Sequence, residues 1–216
     1  MIRWTVVLTA LVAAPAGMAA QDAAAIVGRS STVYRSLTSL SADFVQVINN
    51  PMIDSATSKG TLVQAGQDKL AMRFTDPSGE AIVIDGQYAW VYTPSTTPGQ
   101  VIRMRVPSGG PVYGYNILAW LLDRPAERYK ATYVRADRVE GRTVDVVQLE
   151  PAVPDLPFDR AILWLDKGDG LPRRLDITEH SGATRTLILS KVRTDRSVPK
   201  DTFTFKVPSG VRVVDQ

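Results

Sequence analysis

The chain has 216 residues, a formal net charge of +3 and no cysteine. This length is enough for one domain with a substantial hydrophobic core. The absence of cysteine excludes a disulfide framework, a thiol nucleophile and a lipid anchor on a cysteine side chain. The small net charge, with basic residues scattered along the chain, argues against nucleic acid as a partner and favours an ordinary solvated surface.

The first twenty residues have the pattern of an export signal. Arg3 provides the positive start, an apolar run follows from Val6 to Ala14, and small residues lead to Ala20. A retained membrane anchor is the alternative, but an apolar run of about 11 residues is short for a bilayer that needs about 20. We therefore predict a cleaved signal peptide over residues 1–20, export from the cytoplasm and a single domain over residues 21–216.

Beyond this signal, the pattern predicts one helix and then consecutive β-hairpins. Asp22 is a candidate N-cap for a helix that runs to about Leu37. Segments rich in β-branched and aromatic residues follow between turns, and they predict about ten strands, the last over residues 203–207. The Asp-Gly-Gln sequence at 85–87 is the strongest hairpin signal, because glycine accepts a positive φ without steric cost.

A second, shorter helix is predicted over residues 116–122. Asn116 can cap it and Pro125 stops it. Its residues are apolar nearly all round, so the helix must be covered on most sides or must face a cavity. Together the elements predict a mainly β, α+β fold, in which an antiparallel sheet curls and the helices lie to one side.

Residues able to carry out catalysis are scarce. His180 is the only histidine and lies beside a hairpin turn, where an exposed, non-catalytic side chain is the simpler interpretation. Asp166, Asp169 and Gly170 suggest a calcium loop, but their spacing does not match an EF-hand and the segment reads as a turn. We therefore predict a protein that is not an enzyme and has neither a cofactor nor a metal site.

In three predicted strands, apolar and polar residues alternate, which places large apolar side chains on one face of each strand. If these faces line the inside of a curled sheet, and the apolar helix covers them, they form a ligand cavity. An ordinary packed core is the alternative, because a core and a ligand cavity produce the same alternation of apolar residues along a strand. The residues predicted to line the cavity are Leu70, Met72, Phe74, Ile82, Ile84, Trp90, Tyr92, Leu118, Leu121 and Leu122.

The motifs along the chain resemble those of the periplasmic lipoprotein carrier (LolA) family. The Asp-Gly hairpin followed by Trp-x-Tyr at 85–92 and the Phe-x-Phe-x-x-Pro-x-Gly-Val ending at 203–211 carry the most information in combination. The other matching segments are Ser-Ala-Asp-Phe-Val-Gln at 41–46, Gly60 with the strand that ends before Asp-Pro at 76–77, the Leu-rich helix 117–122, Leu-Glu-Pro at 149–151, and Leu-Trp-Leu-Asp at 163–166 with Leu-Pro at 171–172.

This resemblance implies an incomplete, half-open antiparallel β-barrel with a helical lid and an N-terminal helix. It implies a monomer that shields the chains of acylated lipoproteins, takes them from an inner-membrane ATP-driven transporter and delivers them to an outer-membrane acceptor. Shielding is needed because each methylene of an acyl chain that leaves water gains about 0.8 kcal/mol, so exposed chains would not stay in solution. Two alternatives stay open: a module on the same half-barrel that senses lipids or lipoproteins, and a carrier of another lipid.

One position departs from the family pattern. Relatives carry an arginine early in the second strand, and the resemblance implies that this arginine reaches the lid and holds it closed. If residues 60–76 align with the family pattern without a gap, Gly66 occupies the place of this arginine. In an unbroken strand, position 66 has the parity of Leu70 and faces inward. We therefore expect a lid that is more open when empty, and that Gly66→Arg would close.

Overall fold

The computed structural model describes the backbone of residues 16–106, 115–154 and 156–216, with side chains from Ala23 onwards except at positions 53 and 54. The helices are α1 (Ala16–Ser36), α2 (Ile117–Leu122) and α3 (Pro125–Arg128). The strands are β1 (Ser39–Asn50), β2 (Ile53–Ala65), β3 (Lys69–Asp76), β4 (Ser78–Asp85), β5 (Tyr88–Tyr92), β6 (Gln100–Arg105), β7 (Tyr129–Val139), β8 (Arg142–Pro151), β9 (Phe158–Asp166), β10 (Pro172–Glu179), β11 (Thr184–Thr194) and β12 (Arg212–Asp215).

The twelve strands of the described part of the chain form one open sheet. Their order is β12-β6-β5-β4-β3-β2-β1-β11-β10-β9-β8-β7, so β12 and β7 are its edges. Neighbouring strands run antiparallel, except that β12 pairs with β6 in parallel. We call the face that α1 and α2 cover the inner face and the opposite one the outer face. The predicted half-open antiparallel barrel with few helices is confirmed.

The ends of several elements differ from the prediction. The first helix begins at Ala16, before Asp22, and the predicted signal over residues 1–20 lies mostly outside the described residues. Residues 203–207 form no strand, because they cross the outer face, where Phe205 stacks on Trp90, instead of joining a ladder. Pro125 ends α2 as predicted, but it also opens the one-turn α3, a position that proline favours.

No helix among the described residues is both long enough and apolar enough to cross a membrane.

A close approach of three strands lies at the centre of the sheet. Gly60 on β2 stands between Phe44 on β1 and Phe74 on β3 in the strand register. The two phenylalanine rings meet edge to face with centroids 5.2 Å apart, and both side chains are buried. Because glycine has no Cβ, it leaves room for these rings to meet across β2.

The turn between β9 and β10 is held by an ion-pair network. Asp166 is buried and pairs with Arg142 and with the buried Arg173, which also binds Asp169. Burial by itself would raise the pKa of Asp166. Hydrogen bonds from Arg142 and from the amides of Asp169 and Gly168 outweigh burial and lower its pKa to about 2. The carboxylates suggested for a calcium loop are therefore paired with arginines.

This lowered pKa predicts that the protein loses stability in acid. A carboxyl with a folded pKa of about 2, against an ordinary 3.8, contributes stability above pH 3.8 and loses that contribution as the pH falls through 2. In chemical denaturation, the stability difference between the wild type and Asp166→Asn should shrink by about 2 kcal/mol over this range. Asp201→Asn, which removes an exposed carboxylate, is the control for the loss of one negative charge. A constant difference for Asp166→Asn would contradict the assignment.

Candidate functional site

A cavity of about 310 Å³ opens on the inner face, with walls from β1 to β4, from β11 and from the start of α2. Its volume lies at the lower end of the range of small-molecule pockets, roughly 300–1,000 Å³. The deep part of the wall is apolar and the mouth is polar. The lining residues are Gln46, Ile48, Ala56, Thr57, Ser58, Leu62, Leu70, Met72, Phe74, Pro77, Glu80, Ile82, Thr93, Ser95, Thr96, Tyr115, Asn116, Ile117, Leu118, Arg185 and Leu187.

Half of the residues predicted from strand alternation lie in this lining. They are Leu70, Met72 and Phe74 on β3, Ile82 on β4 and Leu118 on α2. β3 and β4 pair so that Met72 lies opposite Ile82, which places both on the inner face. The structure therefore brings these five side chains together around one space. That they bind a ligand stays a prediction.

Three further predicted residues lie in the core behind the cavity wall. Ile84, Leu121 and Leu122 are each at most 2% exposed, and they pack in the same apolar cluster as the lining residues without lining the cavity. The two ends of α2 explain this division. Its first turn faces the cavity, whereas its last turn is buried against α1, where Ser31 Oγ donates a hydrogen bond to the Leu122 carbonyl at 2.7 Å.

The prediction that Trp90 and Tyr92 line the cavity is wrong. Trp90 is opposite Val83 and Tyr92 is opposite Ala81, so the strand pairing places them on the outer face, and the inner positions of β5 are Ala89 and Val91. Phe205 of the C-terminal segment covers both rings, with centroids 5.7 and 5.8 Å away. The sequence could not reveal this, because both faces of β5 are covered.

The hairpin signal at 85–87 has a side-chain basis. Asp85 Oδ1 accepts hydrogen bonds from the amides of Gln87 and Tyr88, and Oδ2 accepts one from the indole of Trp90 at 3.0 Å. Burial alone would raise the pKa of Asp85, but these hydrogen bonds together lower it. Asp85 and Trp90 of the family-like motif therefore stabilise a turn on the outer face.

Other lining residues were missed by the sequence reasoning. Leu62 on β2 and Leu187 on β11 share the inner face with Phe44 and Phe74, and the alternation that was applied to β3 would have found them once the register was known. The polar residues at the mouth, above all Glu80 and Arg185, gave no signal, because a charge at the end of a strand usually marks solvent.

Polar contacts hold α2 at both ends. Asn116 caps the helix, accepting a hydrogen bond from the Ala119 amide, and donates one to the Gln67 carbonyl at 3.4 Å. Near the other end, Arg128 Nη1 donates to the Trp120 carbonyl at 2.7 Å, and its guanidinium lies 4.2 Å from the centroid of the Trp120 ring. An arginine therefore does reach carbonyls of this helix, but it comes from α3.

The inference that position 66 faces inward on an unbroken strand is wrong. Gly66 lies in the turn between β2 and β3, with a φ of +58°, because the strands already separate at the pair of Ala65 with Lys69. A side chain there is strained and would meet Asp68 at 3.2 Å. The turn contacts the N-cap of α2 through its backbone, at the Gln67 carbonyl. The expected closing of the lid by Gly66→Arg therefore has no structural basis.

The buried pair of Tyr34 and Gln64 lies next to this turn. The Tyr34 hydroxyl donates to Gln64 Oε1, and Gln64 Nε2 donates to the Gly66 carbonyl at 2.7 Å. Burial raises the pKa of Tyr34, so its hydroxyl stays a donor. The pair links α1 to the β2–β3 turn close to the start of α2.

His180 is not placed to activate a nucleophile. Its Nδ1 lies 2.5 Å from Asp159 Oδ1 and its Nε2 lies 2.7 Å from the Leu156 carbonyl oxygen. The hydrogen bonds to Asp159 and then to Leu156 raise its pKa. With a backbone carbonyl at Nε2, the ring has no position for a hydroxyl that it could deprotonate.

These features define a class of protein: an antiparallel half-barrel, open at its edges, that holds a largely apolar cavity beneath a short helix. The sequence profile of the outer membrane lipoprotein carrier protein LolA family matches residues 35–206, which is most of the chain. The protein belongs to this family.

Relatives support this assignment, and a solved structure shares the fold. The outer-membrane lipoprotein carrier protein of Dechloromonas aromatica is 26% identical over 178 residues, covering 82% of this chain and 81% of its own. The one from Chromobacterium violaceum is 27% identical over 199 residues, 92% of each chain. An uncharacterised conserved protein of Thermus thermophilus shares the fold, with a TM-score of 0.58 at 13% identity, covering 91% of this chain and all of that one.

Proposed function

We propose that the protein carries acylated lipoproteins across the periplasm, as a monomer and without covalent chemistry. The observation that supports this most directly is the cavity between the apolar inner face and the first turn of α2. The relatives are named outer-membrane lipoprotein carrier proteins. In this proposal, an inner-membrane ATP-driven transporter loads the cavity and an outer-membrane acceptor empties it, after a signal peptide over residues 1–20 has been removed from the single domain.

The walls of the cavity suit acyl chains. The deep side chains are Leu, Ile, Met and Phe, which offer apolar contact without fixed polar partners. Each methylene that leaves water contributes about 0.8 kcal/mol, so a long chain gains much even in a shallow site. A methionine adapts its shape easily, and Met72 at the centre of the wall suits cargo of variable length.

Acyl binding can be tested with a matched pair of variants. Ile82 and Ile162 are both half-buried strand residues, but Ile82 lines the cavity whereas Ile162 packs in a small cluster around Trp164 on the outer face. Ile82→Glu should weaken binding of a solvatochromic acyl probe by tenfold or more, because a carboxylate in an apolar wall costs several kcal/mol. Ile162→Glu should change the affinity by less than about twofold. Equal affinities for the two variants would contradict the proposal.

The cargo itself can be identified in the same preparation. Protein purified from the periplasm without detergent should release acyl-modified lipoprotein on organic extraction and mass spectrometry, and Ile82→Glu should release much less. Another class of lipid in the extract would identify a carrier of that lipid, and an empty cavity would favour a sensor.

For the probe experiment, Trp120 is the preferred fluorescence reporter, since it lies on α2, whereas Trp90 faces away from the cavity.

A further inference from the structure

The cavity ends at the same level on three neighbouring strands. On β2, Leu62 lines the cavity, whereas Gln64, the next residue of the inner row, does not. On β4, Ile82 lines it and Ile84 does not. Between these strands, Leu70 on β3 lines the cavity and pairs with both Gln64 and Ile84. Gln64 and Ile84 therefore stand at the closed end of the cavity, and we call these two residues the floor.

Hydrogen bonds fix the polar residue of the floor in place. Gln64 is 4% exposed, and its Oε1 accepts a hydrogen bond from the hydroxyl of Tyr34, which lies on α1 and is 2% exposed. Gln64 Nε2 donates to the Gly66 carbonyl at 2.7 Å. A ligand that pushed Gln64 aside would break both bonds and leave buried polar groups without partners, which is costly. Gln64 is therefore a firmer boundary than the leucine and methionine side chains of the walls.

The opposite end of the cavity is open to solvent. Ala56 and Thr57 on β2 and Ser95 in the loop after β5 are exposed lining residues, whereas Leu62 and Leu70 are buried. The polypeptide of a lipoprotein is too large for a space of about 310 Å³, so it must stay outside this exposed rim. An acyl chain that enters from the rim therefore goes in with its methyl end first, toward the floor.

The position of Gln64 limits how much of such a chain can be buried. Resting on the proposed function, we infer that Gln64, held in place by Tyr34, sets the length of the acyl chain that the cavity accepts. Each added methylene gains contact with the apolar walls until the methyl end reaches Gln64. One further methylene either displaces the hydrogen-bonded pair or stays in water at the rim, and neither improves binding. Gln64 thus determines chain-length specificity, and Tyr34 positions it.

A series of dansyl-labelled alkyl ethers of increasing chain length tests this limit. In the wild type, the affinity should rise about fourfold with each methylene and then level off at one length. Tyr34→Phe combined with Gln64→Ala should move the limit to chains longer by about two to four methylenes, because the changes remove the amide group and a methylene of Gln64 and the hydroxyl of Tyr34. The double variant is preferred, since Gln64→Ala alone would deprive the buried hydroxyl of its acceptor.

Two further variants separate the floor from a general loosening of the core. Leu163 on β9 is buried in the same apolar cluster but does not line the cavity. Leu163→Ala should lower the stability of the protein and leave the limit at the wild-type length. Leu70→Phe keeps the pair of Tyr34 and Gln64 and adds atoms in front of it, so it should move the limit to shorter chains.

The outcomes distinguish the inference from the proposed function. A limit that stays at the wild-type length in the folded double variant would overturn the inference, and so would a wild-type affinity that rises through the whole series. If the double variant does not fold, a limit that Leu70→Phe leaves unchanged would overturn it. In each of these cases, an affinity that rises with chain length would still support an acyl cavity. An affinity independent of chain length throughout would overturn the proposed function as well.

Discussion

Replacing Gly60 by alanine is expected to destabilise the protein by about 3 kcal/mol or more. A Cβ at position 60 would overlap the carbonyl oxygen of Arg73 and lie 2.9 Å from the Cα of Phe74. Both are backbone atoms of the paired strand β3, so no side chain can rotate away. Overpacking of a rigid core costs typically 1–3 kcal/mol, and separating the paired rings of Phe44 and Phe74 adds to it.

The measurement is the free energy of unfolding in urea, with Gly28→Ala as the matched control. Gly28 lies in α1, and a Cβ there would have no neighbour within 4 Å. The same substitution should therefore stabilise the protein by about 0.5–1 kcal/mol, the helix propensity difference between the two residues. If both variants changed stability by the same amount and sign, the close approach of β2 and β3 at Gly60 would be disproved.

Replacing Arg128 by methionine is expected to increase the opening equilibrium of α2 by tenfold or more. The methionine keeps an apolar stem but removes the hydrogen bonds to the Trp120 carbonyl, at 2.7 Å, and to the Asp123 carbonyl, at 3.4 Å. A hydrogen bond from a charged group contributes about 1.5–3 kcal/mol, and 1.4 kcal/mol corresponds to a factor of ten. Amide hydrogen exchange across residues 117–122 should accelerate by this factor, and an acyl probe should enter the cavity faster.

Arg124→Met provides the control for that experiment. Arg124 is four residues away, and its side chain is 61% exposed between Asp123 and Glu127. Exposed ion pairs of this kind contribute about 0–1 kcal/mol, so exchange in α2 should change by less than a few-fold. Equal acceleration in the two variants would mean that the guanidinium of Arg128 has no special role in holding α2. Faster exchange without faster probe entry would show that α2 does not gate the cavity.

Arg128 also changes how the departure at Gly66 is interpreted. From the sequence, the missing arginine suggested a lid that is more open when empty. In the structure, α2 is held by Arg128 from α3, by Ser31 from α1 and by its own Asn116 at the β2–β3 turn. A helix with so many partners is not expected to be open in the empty protein. The two predictions therefore differ in the exchange rate that they assign to α2.

Much of the fold was determined locally and could be read from the sequence. The Asp-Gly turn at 85–87 forms because Gly86 accepts a φ of +99° and Asp85 caps the following amides, both within one hairpin. Alternation along β3 predicted Leu70, Met72 and Phe74 in one cavity wall, because strand parity fixes which side chains share a face, and the apolar surface of the short helix predicted Leu118 beside them.

Local pattern could not say which face of β5 is the inner one. Trp90 and Tyr92 are large aromatic residues, yet the pairing of β4 with β5 directs Ala89 inward. Their rings pack instead against Phe205, which lies more than a hundred residues later in the chain. The contact is non-local, so neither composition nor periodicity near Trp90 records it.

The sequence by itself determined the fold class, the family and the apolar row on β3, because turns, caps and strand alternation are properties of neighbouring residues. Only the tertiary structure decided where the cavity ends and what holds α2. Arg185 becomes a residue of the cavity mouth only when β11 pairs with β1, and Arg128 reaches the Trp120 carbonyl only when α3 folds back on α2. Both depend on how distant strands and helices meet in space, which is set by the packing of the whole sheet and not by any local segment.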